Sequence, residues 1–485
     1  MSIADEVLRI KNNISNAYIE AEKKGATMPT VRNSENLSST ISGIVGDGGG
    51  EYDIIQTIIG DECELHITDS RTGVDRSGKY VCKVVDYDGT ILKQEEHYAG
   101  DVFTLPEFPT HDRLVAQEWA CAVPITNNQI EVTDSDILVG IVYTTKSGLS
   151  EFDYVLNPLT GLTATLNMAG TKDWGDGTVN TEYTHTYANY GKYTVTCDGS
   201  QAVSVYADDE EPLVDTYSSG YSCVGIRLGN RVVKFGDVYY VVNVAHCTIP
   251  NTVTSLGGDT GVVTNCPSVQ TLVIPSSVVN ISGGMSGAKN IILSYGVQGF
   301  SSIDHVGDLI LPASLTTIGT LTCNSTHIPD SVTSINKLSV NDEYLTLPSN
   351  LSSLNEISGT QIKYLELPNS LSGMSPIITC GNVEQVVLSD NIITVRVQTF
   401  RKCYKLSKIV YPKNVEEVIT TFPTNNVSVT NDFSKCVSVP ILSGELFINP
   451  HSIAMVPDEL YDQWIANDGW SAYASQIYKA SEVTL

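Results

Sequence analysis

Leu311-Pro312-Ala313-Ser314-Leu315-Thr316-Thr317-Ile318 is followed, seventeen residues on, by Ile328-Pro329-Asp330-Ser331-Val332-Thr333-Ser334-Ile335. The common pattern is an apolar residue, a proline, usually Ser or Asn two positions later, and apolar residues three and six positions after the proline. It recurs as Ile249-Pro250…Val253…Leu256, Ile274-Pro275…Val278…Ile281, Leu347-Pro348…Leu351…Leu354, Leu367-Pro368…Leu371…Met374 and Tyr411-Pro412…Val415…Val418. Two copies lack the proline, Leu293-Ser294…Val297 and Leu388-Ser389…Ile392…Val395. The proline or its substitute stands at 250, 275, 294, 312, 329, 348, 368, 389 and 412, so the spacings are 25, 19, 18, 17, 19, 20, 21 and 23. A period near 20 is too short for helix-pair repeats. The residues before each proline form a short strand with alternate side chains inward, and proline ends its pairing because it has no N–H to donate. The apolar residues at the third and sixth positions return to the same narrow core. One coil cannot bury its inner face alone, so nine coils must stack into a continuous apolar column.

Working outward from the array, the sequence predicts a multidomain, mainly β chain. The solenoid spans 207–440. From about 441 the periodicity lapses, and Val456-Pro457-Asp458-Glu459-Leu460-Tyr461-Asp462-Gln463-Trp464-Ile465 predicts a helix with negative charge at its start. Leu460 and Trp464 would face the last coil, making 441–485 a C-terminal helical cap. Upstream lie two small β domains. Residues 151–206 hold strand signals around Leu162–Met168 and Lys192–Cys197, a turn at Asp176-Gly177 and a core aromatic at Trp174. Residues 51–150 carry Tyr80–Tyr87, the hairpin signal Asp88-Gly89 and further strands at 129–133 and 137–145. Residues 46–50 are a Gly-rich linker. Residues 1–45 predict a helical head, in which Ile3, Val7, Ile10, Ile14, Ala17 and Ala21 form a heptad seam. The seam serves either a hairpin packed on itself or an oligomer, and Ile at both seam positions favours a trimer.

Only 17% of the 485 residues are charged, and the formal net charge is −27. A nucleic-acid partner is therefore not expected, since phosphates would be repelled. No apolar run is long enough to span a membrane, and the first residues lack the basic and apolar segments of a signal peptide. The eleven cysteines are dispersed, which suits buried free thiols better than disulfides or zinc.

The repeats over about 225–440 resemble the BspA-like leucine-rich repeats of bacterial surface proteins and gut-phage proteins. Trp174-Gly175-Asp176-Gly177-Thr178…His185-Thr186-Tyr187…Gly191-Lys192-Tyr193-Thr194-Val195 resembles a PKD-like β-sandwich. Val85-Asp86-Tyr87-Asp88-Gly89-Thr90…Gly100-Asp101…Pro106…Pro109-Thr110…Trp119 is similar to the β-grasp-like repeat of internalin-type proteins, although that family's Gly-Trp pair is here Glu118-Trp119. Ile10-Lys11…Ile14…Ala17…Lys24-Gly25…Pro29…Leu37…Ile41…Ile44 and the closing Val456–Asp462…Trp464…Trp470-Ser471…Tyr473-Ala474 are similar to segments that begin and end phage tail, baseplate and fibre proteins. What the resemblance implies is a virion-located adhesion protein, anchored to other virion proteins by its head and presenting the solenoid to a host-surface glycan or protein.

No motif of catalysis, cofactor binding or metal ligation stands out, so neither an enzyme nor a cofactor is expected. No HExxH, GxSxG or phosphate-loop pattern occurs. Asp304 with Asp308, and Asp342 with Glu343, are the carboxylate pairs a glycan-cleaving solenoid would need, and they read as solvated loop acids. Gly283–Gly287 reads as a tight turn, Asp208–Glu211 as a solvated run, and His185 as a packing residue. Tyr217, Tyr221, Tyr239 and Tyr240 are candidates for stacking on sugars or a protein partner, or for the core of the first coil.

Overall fold

The computed structural model describes residues 52–59, 62–69, 74–75 and 79–483, the last without 134, 203–221, 237, 240–243, 258–262, 265, 306, 344, 397–398, 401, 422–427 and 446–449. The helical head and linker, and with them the seam Ile3, Val7, Ile10, Ile14, Ala17 and Ala21, lie outside the described residues.

The described chain forms two compact units. The first takes the residues up to Lys83 together with Lys93–Leu105 and Thr126–Ile137. It contains an antiparallel hairpin of Tyr52–Ile59 with Glu62–Asp69 and a second pair, Val102–Thr104 with Gln129–Glu131. The second unit takes Val84–Leu92, Pro106–Ile125 and Leu138 onward.

The solenoid is built as the repeat requires. In each coil the N–H of the apolar residue three after proline donates to the proline carbonyl, as in Val253 to Pro250 (3.0 Å), Leu315 to Pro312 (2.9 Å) and Val332 to Pro329 (3.0 Å). Proline thus opens a tight turn, for which its fixed φ and missing N–H cost nothing. The hydroxyl two positions after proline donates to the preceding coil's carbonyl, Ser314 to Val297 (2.8 Å) and Ser331 to Leu315 (2.7 Å). That is why the position prefers Ser: the bond ties each turn to its neighbour. The residues at the sixth position stack in register, Phe235, Leu256, Ile281, Phe300, Ile318, Ile335 and Leu354, through parallel pairing. A second inward row follows, Met285, Ile303, Leu321, Leu338, Ile357 and Ile378. One continuous buried cluster runs from Phe152 to Ile477.

The array is longer than nine coils. Cys223–Arg227 pairs in parallel with His246–Thr248 ahead of the first proline copy. After the last copy, Thr430–Asp432, Ile453–Val456 and Ile477–Lys479 continue the ladder of Lys408–Val410. The expected lapse at 441 is corrected accordingly: strands persist to Lys479. Val456-Pro457…Leu460 repeats the turn, Leu460 N–H bonding the Pro457 carbonyl at 3.0 Å. The α-helical part of this end is six residues, Tyr461–Ala466. Its Trp464 is fully buried, 4.9 Å from Phe433, and Trp470 lies 4.4 Å from Trp464. These rings join the same buried cluster as Ile477.

At the other end the ladder does not stop at an open edge. Ser150–Leu156 pairs antiparallel with Gly191–Cys197 on one side and with Cys223–Arg227 on the other. An antiparallel sheet thereby passes into the parallel solenoid at Cys223–Arg227. Trp174 and Tyr187 are buried in its core, and His185 stacks on Trp174 at 5.2 Å. Gly177, in the expected turn, has φ +95°.

The cysteines from Cys82 to Cys436 are buried. Burial pushes the Cys223 and Cys323 thiols up to about 12.

Candidate functional site

Three surfaces of the second unit bear on function: a docked strand, a buried ionic joint and an open polar face.

Strand Leu114–Cys121 lies along the turns of three successive coils. The first N–H after each turn's opening residue donates to it: Asn251 to Gln117 Oε1 (2.9 Å), Ser276 to Glu118 Oε1 (3.0 Å) and Tyr295 to the Cys121 carbonyl (2.6 Å). Neighbouring strand residues ordinarily face opposite ways. Here the pairing with Ile137–Thr145 shifts register between Ala116 and Glu118, and that bulge aims both Gln117 and Glu118 at the solenoid. Behind this strand, Val85, Ala120 and Val142 pack on Val273 and Ile292. A Cβ on Gly140 would stand 2.7 Å from both Ile292 Cδ1 and Val273 Cγ2, so this contact requires glycine.

The joint is centred on Arg227, only 5% exposed. Its guanidinium donates to Glu151 (3.2 Å), Asp153 (2.5 Å) and His246 Nε2 (2.6 Å). Arg113 bridges the same carboxylates, at 2.8 Å to Glu151 and 3.2 Å to Asp153, and Thr194 donates to Asp153 at 2.8 Å. Burial alone would raise the Asp153 pKa, but the bonds and charge of Arg227, with Thr194 and Arg113, hold it below the usual carboxylate range. Burial, then the charge of Arg227, pulls the His246 pKa down to about 4, so His246 is neutral and accepts from Arg227. A Cβ on Gly225 would come within 2.5 Å of His246 Nε2, so glycine leaves room for the ring. Two arginines against two carboxylates make a satisfied structural lock. It joins the docked strand, the antiparallel sheet and the first coil.

The open face is the outer side of the ladder Asn280–Ser286, Gly299–Asp304, Thr317–Thr322, Ser334–Ser339 and Ser353–Gly359. Its register aligns Asn280, Gly299, Thr317, Ser334 and Ser353 in one row and Ser286, Asp304, Thr322, Ser339 and Ser358 in another. Strand spacing puts successive rungs about 4.8 Å apart along each row. Asn355 donates to Asn336 at 3.0 Å, and Lys337 pairs with Glu356 at 3.1 Å across the same face.

Of the tyrosines singled out in the sequence, Tyr217, Tyr221 and Tyr240 lie outside the described residues. Tyr239 is in the two-residue strand Val238–Tyr239, paired with Val263–Thr264. Asp208–Glu211 is likewise outside the description. Gly283 lies in strand Asn280–Ser286 where the register shifts, a bulge rather than the expected tight turn; Gly287, at φ +89°, follows it. Asp304 and Asp308 are exposed. Asp342 accepts from Thr326 N–H at 3.3 Å, and Glu343 pairs with Lys363. Among the described residues, no three His, Cys, Asp or Glu side chains gather as a metal cluster, and no helix is long and apolar enough to cross a membrane.

Residues 236–337 and 319–430 match the family described as BspA type Leucine rich repeat region, in six copies. The chain carries leucine-rich repeats of the BspA type, wound as a β-solenoid. A leucine-rich repeat protein from Bacteroides ovatus is similar at 16% identity over 55% of this chain and 90% of that one, with a TM-score of 0.18, too low to carry an argument. No curated protein matches the chain.

Proposed function

We propose that this chain is a non-enzymatic adhesion protein of a phage virion, of tail, baseplate or fibre type, which binds a host-surface glycan or protein through its solenoid. The observation that carries the binding role is the open ladder face: rows of Ser, Thr and Asn hydroxyls and amides at a fixed spacing, with few charges. Such a face offers many hydrogen-bonding groups on a rigid backbone, so little ordering entropy is lost on binding. The virion setting rests on the resemblance of the two chain ends, and residues 1–45 would serve as anchor and trimer seam. No cofactor, nucleic acid or membrane insertion enters the proposal.

Purified protein incubated with a panel of bacterial cells, and separately with extracted envelope glycans, tests it. Cell binding without glycan shortening is the expected result. Release of reducing ends would replace adhesion with a depolymerase. Absence of binding, with tight association to virion proteins through residues 1–45, would favour a purely structural virion component.

A further inference from the structure

Beside the docked strand lies a groove of about 250 Å³, open to solvent and lined by Trp119, Pro124, Ile125, Ser276, Ser294 and Tyr295 among others. Its walls come from two sources, the strand end with the loop that follows it and two solenoid turns. The bond from Tyr295 N–H to the Cys121 carbonyl (2.6 Å) fixes them together. Tyr295 is 44% exposed, and Phe108, 40% exposed, stacks on Trp119 with centroids 4.4 Å apart. Glu118 adjoins them on the docked strand, its carboxylate accepting from both N–H and Oγ of Ser276 at 3.0 and 2.9 Å. Exposed rings held on a rigid base, with a carboxylate and hydroxyls beside them, suit a ligand that is apolar on one side and polar around its rim.

We propose that this groove is a subsite for one neutral sugar ring of a surface glycan. A pyranose has a C–H face to lay on an aromatic ring and a rim of hydroxyls to donate to a carboxylate. The volume falls below the range of enclosed drug-sized pockets, which fits one ring of a chain that continues into solvent. Among the described residues no Lys or Arg lines the groove, and the chain carries −27, so acidic sugars and phosphates are repelled. The subsite is separate from the open ladder face. It rests on the adhesion reading only in taking the glycan to be a cell-surface one.

Tryptophan fluorescence of the whole protein reads the site directly. Trp174, Trp464 and Trp470 are fully buried, which leaves Trp119 as the partly exposed indole. Titration with cellobiose, maltose, chitobiose, mannobiose and lactose should give a saturable change with at least one, and none with digalacturonate. Tyr295→Ala, which keeps the backbone bond and the reporter, should weaken that affinity about tenfold. Tyr404→Ala, at an exposed ring elsewhere, should leave it unchanged. No saturable response to any neutral probe, equal binding by Tyr295→Ala, or equal binding of digalacturonate overturns the proposal. Wild-type protein that adheres to cells but binds no neutral probe would overturn the subsite and leave the adhesion reading standing. Sugar binding without adherence would do the reverse.

Discussion

Glu118 Oε1 accepts two hydrogen bonds from Ser276, one from its backbone N–H and one from its hydroxyl. One carboxylate thereby satisfies the first donor of this solenoid turn, a role that Asn369 and Asp390 of the preceding coil fill for Asp390 and Lys413. The bulge before Glu118 makes this possible.

Replacing Glu118 by Ala should expose the Ser276 amide. Amide hydrogen exchange over 274–278 is expected to speed up by roughly tenfold, the equivalent of about 1–2 kcal/mol for a bond to a charged acceptor. Glu118→Gln should restore most of the protection. Gly140→Val should act more strongly, because even a Cβ collides with Ile292 and Val273. Overpacking of about 1–3 kcal/mol should appear as faster exchange across Leu114–Cys121 as well.

Acid should loosen the Arg227 joint. The His246 pKa is about 4 in the folded protein, against about 6.5 in an unfolded chain. Between these values the unfolded chain takes up a proton that the folded one refuses, so stability falls as pH drops through that window, by up to about 3 kcal/mol. The Asp153 contribution is present above the ordinary carboxylate pKa and is lost as pH falls further, through its depressed folded value. In denaturant titrations across this range, His246→Gln should flatten the upper part of the profile, because it keeps an acceptor for Arg227 and cannot protonate. A wild-type profile flat from neutrality to about pH 4 would contradict the assignment.

Along the solenoid, cost should follow position in the coil. Ile318→Ala removes a fully buried rung and should cost about 2–4 kcal/mol. Ser331→Ala removes the tie to Leu315 and should cost about 1 kcal/mol. Thr317→Ala, on the exposed face, should stay within about 0.5 kcal/mol. Unfolding midpoints of the three variants rank them.

The head is expected to set the assembly state. Full-length protein should weigh as a trimer and a 46–485 truncation as a monomer, measured by light scattering. Two monomers would leave the seam of Ile3, Val7, Ile10, Ile14, Ala17 and Ala21 as a hairpin packed on itself.

The coil was legible in the sequence because proline and the third and sixth positions answer to purely local demands, a turn and two inward side chains. The terminal coils were not. Cys223–Arg227 and Thr430–Asp432 form the same strand without a following proline, and the ladder strand Ile477–Lys479 comes after the short helix Tyr461–Ala466. The docked strand and the ionic joint are long-range. Arg227 meets Glu151 across 76 residues and Ser276 meets Glu118 across 158, separations at which no local pattern operates. One signal did exist: Val273 and Ile292 are apolar at outward positions, where an uncovered coil would carry polar residues. Of the carboxylate pairs, Asp304 and Asp308 remain exposed, as solvated acids should.

The most direct test of the adhesion account is cell binding by a variant altered only on the open face. Ser302→Arg and Thr320→Arg, on the rung that continues to Lys337, and Ser339→Arg together place three bulky cations on this face without altering the inward ladder. The account predicts that wild-type protein binds at least one bacterial strain saturably, and that the triple variant, with an unchanged unfolding midpoint, loses that binding. Undiminished binding by the folded triple variant would contradict it.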